Sequence, residues 1–372
     1  TKLNGKITTN QDHQSTHLLL RLSWAHVASC PLKNHVARSP QPLVTCTPGH
    51  FPPPVFILLA LLRGNYLMKV SIIGAAGTIG SCAAFEIATQ GLADELVMLD
   101  VNHNLLEQQA NDIGAAVSGL PDITVRVGSY ADLHGSDIVI MSAGATIRPN
   151  TDRMIDLREN LLLIKDFAGT LARFCPDAVA ITATNPVDPM NYALHRYSGL
   201  DRHRLLGYSL NDSIRFRMLV AKALGVKSTQ VDGMVIGEHG NSQVMLFSSV
   251  RVDGKPVVLS EEMKQDIRKE IPTFLKWWSG LKVTRTAGWT SAIGLAAMVA
   301  TVANDTGQVI PCSVVLNGEY GCRGLSMGVP AVLGKGGVRE ILEMELRPDE
   351  KTELERCIAV LKDAMSLVDK TS

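Results

Sequence analysis

Net charge is missing from this 372-residue sequence: lysine and arginine total 36, and aspartate and glutamate also total 36. With no basic excess, nothing draws the chain to nucleic acid or to an anionic membrane surface. Long apolar runs are missing too. Val55 to Leu62 stops between Pro54 and Arg63, well short of the roughly 20 residues of a membrane helix, so no membrane span is expected. Cysteine is sparse and scattered, at 30, 46, 82, 175, 312, 322 and 357, with no CxxC pair and no zinc-ligand spacing. That excludes a metal site built on cysteine and suits reduced thiols in the cytoplasm. Aromatic residues make up only 5% of a chain that is 46% hydrophobic. Aliphatic cores for two domains remain available at this length, and a small molecule is the expected partner.

Acidic residues are nearly absent from the first 67 positions, where Asp12 is the single one beside half of all the histidines and the run Pro52, Pro53, Pro54. No helical or strand period is sustained there. Two readings fit: an acid-poor organellar transit peptide, or an extension upstream of a true start at Met68. The second is preferred, because "MKVSIIG" reads as a domain opening on a buried strand and Pro/His-rich sequence suits an amphipathic targeting helix poorly. Residues 1–67 are therefore expected to stand outside the fold.

From Met68 onward, short β-type runs alternate with longer helical patterns, the signature of a parallel sheet covered by helices on both faces. Predicted strands are Lys69 to Ile73, Glu95 to Leu99, Ile123 to Val127, Ile138 to Met141 and Val179 to Thr182. Each is nearly continuously apolar, as strands buried on both faces should be. Past residue 210 the texture becomes mixed α+β. Asp253-Gly254 marks a hairpin, "PCSVVL" and "GVPAVLG" read as further strands, and a helix is expected from about Pro348 to Val368. The expected division is a doubly wound α/β domain over 68–210 and a mixed α+β domain over 211–372.

"VSIIGAAGTIG" runs a strand into Gly74, Gly77 and Gly80. Three glycines there let a tight turn present backbone N–H groups and the positive end of a helix to a pyrophosphate. Twenty residues after Gly80, the run "ELVML" ends in Asp100, placed to accept from the ribose hydroxyls of an adenosine and to repel a 2'-phosphate. A plain strand–helix turn and a plain strand-ending aspartate are the bland alternatives; together, at this spacing, the two features point to NAD.

Further along, "GEHGNS" sets His239 between glycines after an apolar run, and "LNDSIRFRM" carries Asp212 and Arg215 three apart, on one face of a helix. A carboxylate orients an imidazole and stabilises its cation, and a guanidinium grips a carboxylate with paired hydrogen bonds. A structural histidine and a surface ion pair are the plain readings. "GATIRPNTDRMIDLREN", with Arg148, Arg153 and Arg158, has the polarity and length of a loop that closes over a cleft, and "TATNPVDPM" ends a strand at Asn185.

"GAAGTIG", Asp100, "ATNPVD", "NDSIR", "GEHGNS" and "GWTSAIG" occur in the order and spacing of the lactate/malate dehydrogenase family, which the chain resembles from Met68 almost to its end. The resemblance implies a Rossmann-type NAD domain followed by a mixed α/β catalytic domain, and hydride exchange between NAD and an L-2-hydroxy acid. It implies His239 as the proton donor and acceptor, Asp212 as its orienting partner, Arg215 as the clamp on the substrate carboxylate and Arg153 as the arginine that polarises the carbonyl. Asn185 would touch substrate and nicotinamide ribose, Asn160 would lie near the nicotinamide, and Thr290 would line the substrate pocket. No metal is implied. A homodimer or homotetramer is.

In that family the residue six positions before the loop arginine reads the far end of the substrate, typically arginine for malate and glutamine for lactate. Here it is Ile147, which cannot pair with a second carboxylate and favours a monocarboxylate such as pyruvate; Thr290 agrees. Arg148, one residue on, and the malate-like glycine spacing favour malate instead. Asn241 stands where the family often has aspartate. A short-chain reductase is excluded by the lack of a tyrosine four residues before a lysine. The remaining rival is a silent NAD-binding sensor, which would lack turnover.

Overall fold

Continuous apolar runs collapse into the centre of a sheet because both faces of each strand can be buried at once. The computed structural model describes residues 67–120, 122–144, 153–280 and 287–371. Ile147 and Arg148 lie outside the described residues, as do positions 1–66 of the expected extension. From Met68 the order is β1 (Lys69–Ile73), α1 (Thr78–Thr89), β2 (Glu95–Leu99), α2 (His103–Val117), β3 (Thr124–Val127), β4 (Ile138–Met141), α3 (Arg153–Phe174), β5 (Val179–Thr182), α4 (Val187–Ser198), β6 (Leu205–Gly207) and α5 (Leu210–Leu224). The chain continues with β7 (Val231–Ile236), β8 (Val244–Val252), β9 (Lys255–Pro256), α6 (Glu261–Gly280), α7 (Gly288–Ala303), β10 (Val309–Asn317), β11 (Arg323–Gly334), β12 (Gly337–Ile341) and α8 (Pro348–Thr371).

Six of these strands pair in parallel in the order β3-β2-β1-β4-β5-β6, the doubly wound Rossmann arrangement that was expected. The order reverses between β1 and β4, and in such sheets a ligand sits in the crevice at the carboxyl ends of the strands flanking that point. Apart from Thr290, whose helix α7 follows α6, every predicted site residue with a described position follows the carboxyl end of a strand or lies on a helix leading from one.

Three departures from the sequence reading have physical causes. β3 starts at Thr124 and is only partly buried, because it is the sheet's edge. There Arg126 faces solvent enough to bond Glu95 at 2.8 Å and Asp132 at 2.9 Å. β6 and β12 carry no strand signal of their own: β6 has three residues and is extended because β5 and β10 bracket it. Finally, β10 pairs antiparallel with β6, β11 with β10 and β12 with β11, so one sheet runs on past residue 210. The hairpin at Asp253-Gly254 is present, both residues having positive φ (48° and 75°), as a type I′ turn requires. α7, read from sequence as core helix or subunit contact, packs against α1 with most of its length buried while leaving Trp289 and Ile293 exposed. Among the described residues no helix is long and apolar enough to cross a membrane.

Candidate active site

β1 ends at Ile73 and the chain reverses at Gly74, whose φ of +82° costs an L side chain strain. The N–H groups of Gly74 and Ala75 both donate to the Leu99 carbonyl, at 2.9 and 3.0 Å, tying this turn to the end of β2. A Cβ on Gly74 would lie 2.6 Å from the Ala143 Cα, and one on Gly80 would lie 2.7 Å from the Ala75 Cα. The protein's own packing therefore demands those two glycines. Gly77 differs: it is exposed, and a Cβ there would meet only the Gly74 carbonyl, at 3.2 Å. Its smallness serves whatever approaches from outside. Gly77 also caps α1 without any side-chain bond, and the first turn carries no acid, so the helix N-terminus is left open to an anion.

Asp100 closes the rim. Its Oδ2 accepts the Ala76 N–H and its Oδ1 the Asn102 N–H, both at 3.0 Å, which fixes the carboxylate beside the turn and leaves lone pairs for ribose hydroxyls. The bare turn, the open helix end and this fixed carboxylate fit the pyrophosphate and adenosine ribose of NAD.

On the other side of the switch point, β7 leads into the loop carrying His239. Gly237 exchanges two 2.8 Å backbone hydrogen bonds with Gly328 of β11. The His239 Nδ1 then meets Asp212 Oδ2 at 2.6 Å. Asp212 lies in the first turn of α5, 6% exposed, and its Oδ1 is 3.7 Å from a guanidinium nitrogen of Arg215. This is a three-member group around a buried carboxylate, with His239 and Arg215 partly exposed, and not a surface ion pair. With Nδ1 engaged, Nε2 is the nitrogen left for a substrate.

Burial alone would pull the His239 proton affinity down. The Asp212 charge and hydrogen bond, helped by the Asp188 charge, outweigh burial and the opposing Arg215, so the pKa is raised above the ordinary histidine value.

β4 and β5 contribute the floor. Thr184 Oγ1 donates to the Ala143 carbonyl at 2.6 Å, locking the two strand ends together. Asn160, buried on α3, donates through Nδ2 to the Asn185 carbonyl at 2.7 Å. Thus Asn160 and Asn185, twenty-five residues apart, are joined directly. Thr290 is half-buried on α7, and its carbonyl lies 3.2 Å from the Tyr208 hydroxyl, which also bonds Asn211 Oδ1 at 2.6 Å. Asn211 in turn donates to Ser291 Oγ at 3.0 Å, so the start of α7 is tied to the start of α5 and hence to the helix bearing Asp212 and Arg215. Arg153 opens α3 with its side chain outside the described residues; Arg158 is exposed on that helix. Asn241 is exposed in the His239 loop.

Two participants were missed in the sequence. Asp188, 1% exposed in the first turn of α4, accepts the His239 N–H at 2.7 Å and the Ser313 hydroxyl at 2.6 Å. It sits inside "TNPVDPM", where Asn185 alone drew notice; an acid among apolar neighbours was the available signal. Cys357 on α8 accepts the Glu238 N–H at 3.0 Å. Burial pushes that thiol up to about 11, which keeps it neutral and unreactive. Cys175, Cys312, Cys322 and Cys357 are free thiols, and no metal-holding cluster occurs among the described residues.

Burial raises Asp188 to about 6 against the pull of the Ser313 and His239 N–H bonds. Both Asp188 and His239 therefore bind protons more tightly folded than unfolded. Their linked stability is present at low pH and lost as pH rises: for Asp188 from about 3.9, its unfolded value, and for His239 from about 6.5 up through its higher folded value. The cofactor-free protein should accordingly melt several degrees lower at pH 8 than at pH 6, and His239→Gln should flatten that slope. Scanning calorimetry at the two pH values decides it; an equal or higher melting temperature at pH 8 contradicts the assignment.

Comparison with known proteins agrees with this geometry. Residues 68–207 match the family model described as "lactate/malate dehydrogenase, NAD binding domain", and residues 210–371 match "lactate/malate dehydrogenase, alpha/beta C-terminal domain". Malate dehydrogenase of Halobacterium salinarum is 37% identical over 78% of this chain and 95% of the relative. L-lactate dehydrogenase of Halalkalibacterium halodurans is 30% identical over 83% and 99%. Among solved structures, the lactate dehydrogenase of Cryptosporidium parvum, complexed with lactic acid and NAD, superposes with a TM-score of 0.77 at 32% identity, covering 82% of this chain and 99% of that one. Fold, cradle and relatives together define an NAD-dependent 2-hydroxy acid dehydrogenase. The chain belongs to the lactate/malate dehydrogenase family.

Proposed function

We propose that the enzyme interconverts an L-2-hydroxy monocarboxylic acid of the lactate class and its 2-oxo acid. The observation that carries this is Ile147, six positions before Arg153, where an apolar side chain offers no partner to a second carboxylate. The 30–33% identical L-lactate dehydrogenases support the same reading. A second reading, malate and oxaloacetate, is favoured by Arg148 and by the 35–37% identical malate dehydrogenases. Initial rates of NADH oxidation with pyruvate, oxaloacetate, 2-oxoisocaproate and phenylpyruvate separate the two. Arg148→Ala should leave pyruvate reduction within about twofold; a selective tenfold loss with oxaloacetate, about 1.4 kcal/mol of transition-state binding, would make Arg148 the specificity residue.

NAD, bound across the cradle of Gly74, Gly77, Gly80 and Asp100, supplies the hydride acceptor and, reduced, the hydride donor. The chain's own residues do the rest. Arg215 holds the substrate carboxylate with paired hydrogen bonds, Arg153 polarises the carbonyl, and Asn185, kept in place by Asn160, borders substrate and cofactor, with Thr290 in the pocket wall. His239 gives its Nε2 proton to the carbonyl oxygen of the oxo acid and takes it back in the reverse direction, and Asp212 keeps the imidazole cationic until then.

Residues 68–210 form the cofactor domain and 211–372 the catalytic domain in this reading, with 1–67 an extension outside the fold. The free thiols of Cys175, Cys312, Cys322 and Cys357 support a cytoplasmic setting. Exposed Phe85, Trp289 and Ile293, gathered beside α1 and α7, support a homodimer or homotetramer, which sedimentation velocity tests; a monomer at micromolar concentration would refute it.

A further inference from the structure

The loop bearing His239 is held by three successive backbone N–H groups. Gly237 donates to Gly328 on β11, Glu238 to Cys357 on α8, and His239 to Asp188 on α4. The first two acceptors are neutral. The third is a carboxylate with almost no solvent exposure, and it is held from below. Ser313 Oγ donates to its second oxygen at 2.6 Å and lies 2.9 Å from Ser326 Oγ. Asn191 Nδ2 donates to Ser326 Oγ at 3.0 Å and to the Ser313 carbonyl at 3.2 Å.

Asn191, Ser313 and Ser326 are each 0% exposed, among apolar Cys312, Val314 and Met327. A polar chain through an apolar core is expensive, the more so because the Asn191 Oδ1 accepts no hydrogen bond among the described residues, and this one ends at the main chain of the residue read as proton carrier. A neutral acceptor would satisfy one N–H; a carboxylate also brings charge.

We infer that Asp188 is a positioning residue for proton transfer: it anchors the His239 backbone and sets a second negative charge beside the imidazole, complementing Asp212. The inference rests on His239 being the proton carrier. Among the described residues, the charged groups acting on that imidazole are Asp212 and Arg215 from α5 and Asp188 from α4. Glu238 is turned back onto Ser242, whose N–H and hydroxyl it accepts at 2.8 and 2.6 Å. Asp188 is ionised above about 6, so its charge is present where His239 titrates.

Asp188→Asn tests this with little change of shape. The amide oxygen can still accept the His239 N–H and the amide nitrogen can donate to Ser313 Oγ, so geometry survives while charge is lost. Reduction of a 2-oxo acid needs imidazolium, so kcat/KM falls on the alkaline side as His239 deprotonates. In Asp188→Asn that limb should move down by about one pH unit, a tenfold loss for a rate measured on it. A limb that stays in place, whatever happens to the plateau, reduces Asp188 to a structural anchor and overturns the inference.

Should the variant fail to fold, native enzyme carrying ¹³C-labelled histidine decides. The His239 resonance, identified by its absence from His239→Gln, should show a second inflection as Asp188 protonates, and a single inflection rejects the coupling. His239→Gln also separates the two claims. If it still reduces oxo acids, the proton carrier is wrong; if it is inactive while the Asp188→Asn limb is unmoved, only the role of Asp188 falls.

Discussion

His239→Ala is expected to lower turnover of every 2-oxo acid by about 1,000-fold or more while leaving NADH binding nearly intact. The separation follows from the fold. The cofactor cradle is built from β1, α1 and the end of β2, whereas His239 hangs from β7 and is held by α4, α5, α8 and β11. Truncating the imidazole removes the proposed proton carrier and touches nothing in the proposed cradle. It also strips Asp212 of its 2.6 Å partner, leaving a buried carboxylate with Arg215 at 3.7 Å, so some stability is lost as well. Fluorescence titration with NADH beside initial rates resolves these effects. An active alanine variant would remove His239 from the chemistry, and weakened NADH binding of the same size as the rate loss would mean a general collapse.

Gly80→Ala should abolish detectable NADH binding and lower the melting temperature by several degrees, whereas Gly77→Ala should fold normally and bind NADH about tenfold more weakly. At Gly80 the new methyl would overlap the Gly74 carbonyl and sit 2.7 Å from the Ala75 Cα. Both are backbone atoms of the turn itself, with no flexible side chain to yield, so the turn must open to admit it. At Gly77 the only near atom is the Gly74 carbonyl at 3.2 Å, and the position is exposed. The methyl there obstructs the incoming pyrophosphate and leaves the fold alone. Calorimetric melting and NADH titration of the two variants provide the check. Equal melting temperatures and equal affinities would show that the spacing of the glycines reflects neither packing nor cofactor approach.

Features set by near neighbours along the chain were legible in the residues. β1, β2, β4 and β5 have the predicted bounds because a strand buried on both faces must be apolar throughout, whatever packs on it. The glycines and Asp100 were legible because the turn and the end of the next strand are a fixed distance apart in this fold, and the Asp253-Gly254 hairpin because two residues of positive φ make it.

What only the tertiary structure decided depends on distant partners. β6 is a strand because β5 and β10 flank it, and β12 because β11 does. Asp212 and Arg215 would have made an ordinary surface pair; the 2.6 Å contact between Asp212 and His239, twenty-seven residues away, joins all three into one group. Asp188 reaches His239 across fifty-one residues and Ser313 across one hundred and twenty-five, and no local period carries either contact. Composition and spacing along the sequence determined the sheet, the cradle and the residue types available for chemistry. Which carboxylates were taken out of water and set against the imidazole was decided by packing, since desolvation and charge act through space and not along the chain.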